Sequence, residues 1–367
     1  DVYKRQLITE MRVRALIVPL AQPLKTASGT VQAAPMLLLD VQTDAGVCGH
    51  AYIFTYTPLV LGAVKQLATD LTLLLEGQPL DPLGLMNNLR GRFMLIGTYG
   101  LLDMVLAGID MAVWDAHAKH LELPLVRALG GSIGSGTAAD GIPAYASFGM
   151  DGKAEAVKHV AAAVERGFKA IKIKIGYPTL PEDIAVVRAA IKATEGAARL
   201  MVDYNQSLDV GEAMMRCPAL DDEGLLWIEE PTRYDDNCGH AQIAAAIKTP
   251  LQLGENLWGP RQVAESLRMK ASDYMMPDLM KIGGVSGWMQ AAGVCAANNV
   301  RVSNHFFQEI SVHLLRVTPT AHYIEYFQMA DPILVDPLQV RNGNAIVRDC
   351  PGNGIQWKEE AVERYTL

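Results

Sequence analysis

The sequence predicts an α/β protein: a modified TIM-type (β/α) barrel with an N-terminal α+β capping domain that the C-terminal tail completes. From residue 143 onward, short apolar strands alternate with amphipathic helices, which is typical of parallel βαβ units. The strands number eight, as a closed barrel of this type requires. Ahead of them, residues 7–56 carry longer alternating runs that indicate a small antiparallel sheet.

Composition narrows the class of protein. Half of the 367 residues are hydrophobic and 20% are charged, which is ordinary for a soluble globular enzyme. A net charge of −8 argues against nucleic acid or an anionic membrane as a partner. The five cysteines lack metal-ligand spacing, which favours reduced thiols and a cytoplasmic location. The most apolar stretch, Leu101 to Ala118, contains three aspartates and therefore predicts a buried helix, not a membrane span.

Residues 1–130 are expected to form the cap. Leu7–Pro19 and Met36–Tyr56 predict its strands, with a turn at residues 44–46. Between them, Gln22–Val31 is rich in small residues and predicts a loop that is suited to moving. Apolar residues at three- and four-residue spacing predict three helices. These cover roughly residues 58–75, 81–93 and 101–121.

Residues 131–330 are expected to form the barrel, after a glycine- and serine-rich linker over residues 130–141. Its predicted strands are Pro143–Ser147, Ala170–Ile175, Leu200–Tyr204, Leu225–Glu229, Leu251–Gly254, Asp273–Pro277, Arg301–Asn304 and Tyr323–Tyr326. Helices are expected between them, for example over 152–166, 182–195 and 286–298. The tail, 331–367, has strand-like pieces at Ile333–Val340 and Ala345–Val347 and is expected to return to the cap.

The strand within residues 169–176 alternates isoleucine with lysine. Successive side chains of a strand point to opposite faces, so Lys172 and Lys174 share a face, with Cα atoms about 6.6 Å apart. If this face points into the barrel, the two ammonium groups need anions there, because unpaired buried charge is too costly. A solvated face on a surface strand is the alternative.

Carboxylates stand at the C-terminal tips of three predicted strands. Asp203, Glu229 and Glu255 are each 26 residues apart, close to the length of about 30 residues of a βα unit. They should therefore converge at the face where such barrels hold their active sites. Three carboxylates without histidine or thiolate suit Mg²⁺. The alternative is that each one caps a helix, and the spacing alone leaves open whether Glu229 or Glu230 faces the metal.

Asp278, His305 and Glu325 end the next three strands. An aspartate beside a histidine fixes the tautomer of the ring and raises its basicity, as a general base requires. A structural histidine is the alternative to this catalytic pair.

Six motifs surround these residues: Val202–Val210, Trp227–Thr232, Gly254–Asn256, Pro277–Gly284, Ser303–Glu309 and Pro319–Glu325. Together they resemble the mandelate racemase family of the enolase superfamily, along essentially the whole chain. The His305–Asp278 pair sets the chain apart from the muconate cycloisomerase branch, in which a lysine is expected on the sixth strand. The resemblance implies Mg²⁺ as the cofactor and an ene-diolate intermediate.

The resemblance also implies a role for each site residue. Asp203, Glu229 and Glu255 match the metal ligands, Lys174 and His305 with Asp278 match the two bases, Lys172 and Glu325 match the carboxylate-binding pair, and Ser147 and Asn205 match residues that line the site. Candidates for the side-group pocket are Leu24, Ser28, Val31, Phe54, Tyr56, Phe306 and Phe327. Two features depart from the family pattern: Gln22, Lys25 and Ser28 make the cap loop more polar, and Phe306 and Phe327 replace smaller aliphatic residues.

The implied reaction is racemisation of a 2-hydroxy acid that has an aryl or other apolar side group. Positive neighbours are expected to lower the pKa of Lys174 so that it can accept a proton. An acid-sugar dehydratase is the alternative, to which Lys25, Ser28 and Gln22 lend modest support, and a catalytically silent binder of carboxylate or metal is a third. In each case we expect a small-molecule carboxylate ligand, a homo-oligomer, and neither nucleic acid nor membrane as a partner.

Overall fold

The computed structural model describes residues 6–27, 29–134 and 141–367. An antiparallel sheet in the order β1–β2–β3 opens the chain, with strands Ile8–Thr26, Gly29–Thr43 and Cys48–Phe54. The central strand β2 is buried without interruption from Ala34 to Val41. This sheet and the helices that pack on it form the predicted cap.

The stretch Gln22–Val31, predicted as a loop, instead forms the paired arms of a long β1–β2 hairpin. After a register shift that follows Pro19, Leu24 pairs with Val31 and Lys25 with Thr30. Antiparallel pairing satisfies the backbone hydrogen-bonding groups of these arms, and this is not evident from their small, polar composition. The prediction of a loop is therefore wrong here, while Ser28 lies outside the described residues.

Among the described residues of the cap, four helices complete it. They are α1 Leu61–Leu75, α2 Pro82–Arg92, α3 Leu101–His120 and α4 Leu125–Ala128. Helix α3 is the buried helix that the sequence predicts, and its three aspartates Asp103, Asp110 and Asp115 are almost fully buried. Asp110 accepts a hydrogen bond of 2.9 Å from the backbone N–H of Ser286, and Asp115 accepts one of 2.6 Å from that of Asn353. The buried acids thus tie the cap helix to the barrel and to the tail.

Among the described residues, the stretch Pro58–Leu75 has the length and apolar composition of a membrane span. It contains Lys65 and Asp70, and it consists of a short 3₁₀ turn followed by α1. Leu61, Val64 and the other buried residues of α1 recur at helical spacing, and the helix packs against β1. In this structure the stretch is an amphipathic helix that covers the cap sheet.

All eight predicted barrel strands are present, which confirms the fold class. They are β4 Ile142–Ser147, β5 Ala170–Lys174, β6 Arg199–Asp203, β7 Ile228–Glu229, β8 Leu251–Leu253, β9 Tyr274–Met275, β10 Arg301–Val302 and β11 Ile324–Tyr326. They pair in parallel in chain order, and β11 pairs with β4. A bridge between Val302 and Ala321 joins β10 to the segment that leads into β11.

Helices follow the barrel strands, as expected for βα units. They are α5 Gly152–Glu165, α6 Leu180–Ala193, α7 Val210–Arg216, α8 Asn237–Ala246, α9 Gly259–Arg268, α10 Leu279–Ile282, α11 Gly284–Ala297 and α12 Gln308–Val317. Local sequence defines several of their starts. Thr179 and Glu182 form a capping box at α6, and the Asp209 side chain accepts the backbone N–H of Glu212 at α7.

The C-terminal tail has two parts. Strands β12 Gln339–Arg341 and β13 Asn344–Ile346 form a hairpin, and β13 pairs antiparallel with β4 of the barrel. Residues 353–367, including α13 Glu359–Tyr365, return to the cap, where Trp357 Nε1 donates to Asp40 Oδ1 at 2.7 Å. Of the predicted strand Ile333–Val340, only the end is a strand, because Pro337 interrupts it. The exact residue boundaries of the three parts stay a prediction.

Candidate active site

The lysine face of β5 points into the barrel. Lys172 and Lys174 are 1% and 7% exposed. Lys172 Nζ donates to Glu229 Oε1 at 2.6 Å and lies 3.1 Å from Glu325 Oε1, while Lys174 pairs with Asp203. The alternative of a solvated surface strand is therefore wrong, and both buried ammonium groups have the anionic partners that their burial demands.

The three predicted metal ligands come together at the strand ends. Asp203, Glu229 and Glu255 each offer an oxygen, and these oxygens lie within 4.8 Å of one another. Oε2 of Glu255 is buried and has no hydrogen-bond partner among the described residues, which leaves it available to a cation. Strand β7 ends at Glu229, whereas Glu230 adopts a left-handed φ of 37° and accepts from Asn256 Nδ2 at 2.7 Å. Three hard oxygens in this arrangement fit Mg²⁺.

The pKa values of two triad carboxylates are shifted in opposite directions by burial and by their charged neighbours. Burial, together with the charges of Asp203 and Glu255, raises the pKa of Glu229 to about 8, although Lys172 opposes this. For Glu255, burial is outweighed by the positive charges of His305 and Lys174, which lower its pKa to about 2. A divalent cation at the triad would relieve the repulsion among these groups.

The pKa of Lys174 depends on the charges beside its ammonium group. Burial lowers this pKa, but the Asp203 carboxylate that pairs with the ammonium group raises it, and the net direction is upward. Lys172 opposes the rise only in part. The predicted lowering counts Mg²⁺ at the triad as a second positive neighbour beside Lys172, and for the metal-bound site it stays a prediction.

His305 is oriented by Asp278, as the sequence predicts. Nδ1 of the ring lies 2.7 Å from Asp278 Oδ2, and Nε2 lies 3.4 Å from Glu255 Oε2. Asp278 is itself held, since its Oδ1 accepts from the backbone N–H of Met280 at 2.8 Å. Burial lowers the pKa of His305, but Glu255 and Asp278 outweigh burial and raise it overall. The imidazole nitrogen that is not bound to Asp278 thus faces the triad.

Glu325 and two lining residues complete the polar part of the site. Glu325 Oε2 accepts from the backbone N–H of Phe306 at 3.1 Å, and a hydrogen bond from the Ser147 side chain helps to lower its pKa. Asn205 donates to Asp203 from its backbone N–H at 2.7 Å and from Nδ2 at 3.0 Å. The predicted residues Ser147, Asn205 and Glu325 therefore all lie within the same cluster.

Four of the side-group candidates form an aromatic box. The ring centroids of Phe54 and Tyr56 are 4.5 Å apart, those of Phe54 and Phe306 5.6 Å, and those of Phe306 and Phe327 5.3 Å. The Phe306 ring lies 3.9 Å from the ring of His305. The box joins cap residues to barrel residues directly beside one proposed base.

The remaining pocket candidates lie on the hairpin. Leu24 and Val31 pair across its two arms, and their contact with a substrate stays a prediction. The hairpin touches the loop after β4, where the Met150 backbone N–H donates to Lys25 O at 2.8 Å. A Cβ at Gly149 would lie 2.9 Å from the backbone N and O of Lys25, so glycine permits this close approach. Since the eight proposed ligands, bases and carboxylate-binding residues are at most 7% exposed, the site is closed beneath the cap.

The sequence did not predict three polar residues near the triad. These are Asn256, Lys281 and Glu230, the last of which the sequence did not distinguish from the ligand Glu229. Asn256 follows a predicted ligand and looks like a turn residue. Lys281 carries a recognisable signal, because it stands in the apolar run Leu279–Ile282 and is nonetheless buried. A lysine in a buried apolar run needs a polar partner, and this alone would have marked it.

A second group of metal-type side chains, Asp40, Cys48 and His50, lies in the cap. The Asp40 carboxylate in this group already has hydrogen-bond partners. It accepts hydrogen bonds of 2.7 Å from Arg14 and from Trp357, and it lies 2.7 Å from His50 Nδ1. Burial raises the pKa of the Cys48 thiol to about 11. These contacts fix the tail to the cap, so the group serves the fold.

Comparison with known families agrees with this geometry. Residues 8–130 match the model of the mandelate racemase/muconate lactonizing enzyme N-terminal domain, and residues 155–361 match that of the enolase C-terminal domain-like family. The chain belongs to the mandelate racemase/muconate lactonizing enzyme family of the enolase superfamily. This membership confirms the predicted superfamily and fold.

Solved structures of similar proteins contain magnesium. An enolase from Bradyrhizobium, complexed with magnesium and mandelic acid, is 40% identical, with a TM-score of 0.94 over 100% of this chain and 99% of that one. An L-talarate dehydratase from Polaromonas sp. JS666, complexed with magnesium and L-glucarate, is 28% identical, with a TM-score of 0.90 over 99% and 98% of the two chains. Members of the superfamily use Mg²⁺, and the predicted cofactor is confirmed.

Among characterised relatives, the L-talarate/galactarate dehydratase of Salmonella typhimurium is 32% identical over 277 residues, which cover 74% of this chain and 67% of the relative. The family therefore includes lyases as well as isomerases. Membership establishes a Mg²⁺-dependent enzyme of the superfamily and leaves the reaction to be argued from the site.

Proposed function

We propose that this chain is a Mg²⁺-dependent racemase of a 2-hydroxy carboxylic acid that has an aryl or other apolar side group. The observation that carries the proposal is the placement of two bases on different sides of the carboxylate triad. Lys174 lies on β5 against Asp203, at one edge of the triad, and His305 follows β10 against Glu255, at the other edge. Inversion at carbon requires a proton acceptor on one face and a donor on the other.

Each residue has a defined task in this reaction. Lys172 neutralises the substrate carboxylate, and Glu325 hydrogen-bonds to it. Lys174 or His305 removes the α-proton from one face, and the opposite base returns a proton to the other face, so no atoms are gained or lost. When bound, Mg²⁺ supplies positive charge that stabilises the ene-diolate. Asp278 accepts the Nδ1–H of His305 and so holds the tautomer in which Nε2 has its lone pair free to accept the α-proton.

The side group is assigned to the aromatic box of Phe54, Tyr56, Phe306 and Phe327. These rings, contributed by the cap and the barrel, pack against one another with centroids 4.5–5.6 Å apart and form an apolar aromatic wall beside His305, which suits contact with an aryl or other apolar group. The mandelic acid bound to the Bradyrhizobium neighbour supports an aryl acid as the first substrate to test.

An acid-sugar dehydratase is the second candidate, and the Salmonella typhimurium relative favours it. The same α-proton would leave to one base, the C–O bond to the β-hydroxyl would break with a proton donated by the other, and water and an enol would result. The enol would then tautomerise to a 2-keto acid. An aromatic box offers few partners to several sugar hydroxyls, which is why racemisation is the first choice.

The deciding experiment follows α-deuterium uptake by NMR, in D₂O with Mg²⁺, from each pure enantiomer of mandelate and of related 2-hydroxy acids. The parent protein should exchange and racemise both. His305→Asn should slow racemisation by about 10²–10⁴-fold yet still exchange one enantiomer, and Lys174→Ala should exchange only the other. Lys192→Ala, an exposed lysine on α6, is the control and should behave as the parent.

Three results would contradict the proposal. Uptake from the same enantiomer in both variants would rule out bases on two faces. A keto acid formed from acid sugars, without return of the α-proton, would establish the dehydratase. Absence of exchange from every 2-hydroxy acid and every acid sugar tested would indicate a silent binder.

A further inference from the structure

Lys281 is a buried cation whose two hydrogen-bond partners are neutral groups. It is 7% exposed and lies on the short helix α10 that follows Asp278. Its Nζ donates to Asn256 Oδ1 at 2.6 Å and to the Tyr56 hydroxyl at 3.2 Å, and it lies 4.9 Å from the centroid of the Tyr56 ring. Over the described part of the chain, Lys281 forms no ion pair with a carboxylate. Such a charge is expensive to bury, so its retention calls for a reason.

Its main partner, Asn256, stands between Lys281 and the triad. A lysine ammonium can only donate, so the amide of Asn256 must present its oxygen to Lys281 and its nitrogen to the opposite side. There Nδ2 donates to Glu230 Oε2 at 2.7 Å and to Glu255 Oε1 at 3.1 Å. The two carboxylates accept hydrogen bonds and favour the same orientation from their side, so that Lys281 on the other side holds the amide at both of its ends.

The restraint on Glu255 reaches the metal-facing atom. Because Oε1 of Glu255 is held by Asn256, the other oxygen, Oε2, is directed away from this contact and has no hydrogen-bond partner in the described ranges. Oε2 lies 3.4 Å from His305 Nε2, at the edge of the triad. The direction of one ligand carboxylate therefore depends on a hydrogen-bonded chain that begins at Lys281.

We propose that Lys281 is a positioning residue for the magnesium centre. By binding Oδ1 of Asn256, it aims the Asn256 amide nitrogen at Glu230 and Glu255 and holds Glu255 with Oε2 free for the metal. Its second bond, to the Tyr56 hydroxyl, connects this chain to the aromatic box of the cap. The proposal goes beyond the proposed racemase reaction and holds for any substrate, so Mg²⁺ affinity tests it separately from turnover.

The direction in which Mg²⁺ affinity changes when Lys281 is removed distinguishes a positioning role from a purely electrostatic one. If Lys281 acted only through its positive charge, removing it would strengthen Mg²⁺ binding, because one cation near the site would be lost. If Lys281 positions Asn256, removing it frees the amide, disturbs Glu255 and weakens Mg²⁺ binding. Outer-shell residues that orient ligands are typically worth about 10–100-fold in metal affinity.

The experiment measures the dissociation constant of Mg²⁺ by calorimetry without substrate. Lys281→Met should weaken binding about 10-fold or more. Lys281→Gln keeps a donor for Asn256 Oδ1 without the charge and should stay closer to the parent than Lys281→Met. Asn256→Leu should weaken binding by about 10–100-fold, and Lys281→Met should add nothing further in that background. Lys192→Met, on the barrel surface, is the matched lysine control and should leave the affinity unchanged.

Equal or tighter Mg²⁺ binding by Lys281→Met would overturn the proposal, and so would additive losses in the double variant, since independent effects would place Lys281 outside the Asn256 chain. Should Lys281→Met fail to fold, Lys281→Gln and Asn256→Leu still decide the matter. A loss for Lys281→Gln that disappears in the Asn256→Leu background supports the proposal, whereas additive losses, or parental affinity for either single variant, refute it.

Discussion

At one end of the barrel the inward-facing side chains are aromatic, and at the other end they are ionised, although the same strands supply both. Trp227 and Glu229 stand two residues apart and are both fully buried. The Trp227 ring lies 5.6–6.3 Å from the rings of Tyr145, Tyr274, His322 and Tyr323. Two residues further on, Glu229 joins the carboxylate triad. A cavity of about 610 Å³ opens at the aromatic end, and its lining contains none of the proposed catalytic residues.

Two histidines show how the aromatic and the charged surroundings affect the pKa of an imidazole. Burial lowers the pKa of His322, at the aromatic end, to about 4, and Arg301 acts in the same direction. His305, at the charged end, is more deeply buried than His322, yet Glu255 and Asp278 raise its pKa. The anions that surround an imidazole, more than its burial, therefore decide its charge. The two ends touch, for example through the hydrogen bond of 3.0 Å from Trp227 Nε1 to Glu229 Oε2.

The largest effect is expected from Trp227→Ala. Removing this ring from the aromatic end should lower the free energy of unfolding by about 3–5 kcal/mol, the range for truncating a buried aromatic residue. Urea denaturation measures it. Trp227→Phe keeps most of the ring contacts and should lose considerably less. A loss for Trp227→Ala no larger than that of an exposed residue would mean that the aromatic end does not support the barrel.

At the charged end, Glu229→Gln should weaken Mg²⁺ binding by more than about 100-fold, beyond the range of outer-shell residues, because it removes a charged ligand. Calorimetry measures the affinity. Tyr323→Phe, at the aromatic end, is the control and should leave it unchanged. Unchanged Mg²⁺ affinity in Glu229→Gln would mean that Glu229 is not a metal ligand. The two ends of the barrel would then not differ in metal binding as proposed.

The smallest effect concerns His322 and pH. Its pKa of about 4 lies below the value of about 6.5 expected in the unfolded chain, so the neutral ring stabilises the fold above pH 6.5. That stability is lost as the pH falls from 6.5 towards 4, by at most about 1.4 kcal/mol per pH unit. Between pH of about 7.5 and about 5, the parent should therefore lose up to about 2 kcal/mol more stability than His322→Phe.

Urea denaturation at the two pH values measures this difference. His240 and His313 also have pKa values of about 4, so part of the pH dependence should persist in His322→Phe. Equal pH dependence in the parent and the variant would show that His322 is solvated, and the contrast with His305 would then rest on His305 alone.

Much of the barrel and its ring of charges could be predicted because both depend on local patterns. Strand alternation placed Lys172 and Lys174 on one face, and the constant 26-residue spacing of Asp203, Glu229 and Glu255 followed from the length of a βα unit. Parallel strands in register then bring their ends together whatever the details of packing. For the same reason the three-dimensional neighbours Asp278 and His305 could be paired from sequence.

Only the tertiary structure decided the contacts that cross between distant segments. It separated Glu229 from Glu230, because the chain turns into the left-handed region at Glu230 and directs that side chain to Asn256. It showed the stretch Gln22–Val31 as paired strands, because a hydrogen-bond ladder depends on the facing arm and not on composition. Lys281 likewise gained its partners from Tyr56 and Asn256, which stand 225 and 25 residues away. Pairing energies of this kind depend on distances that no local pattern encodes.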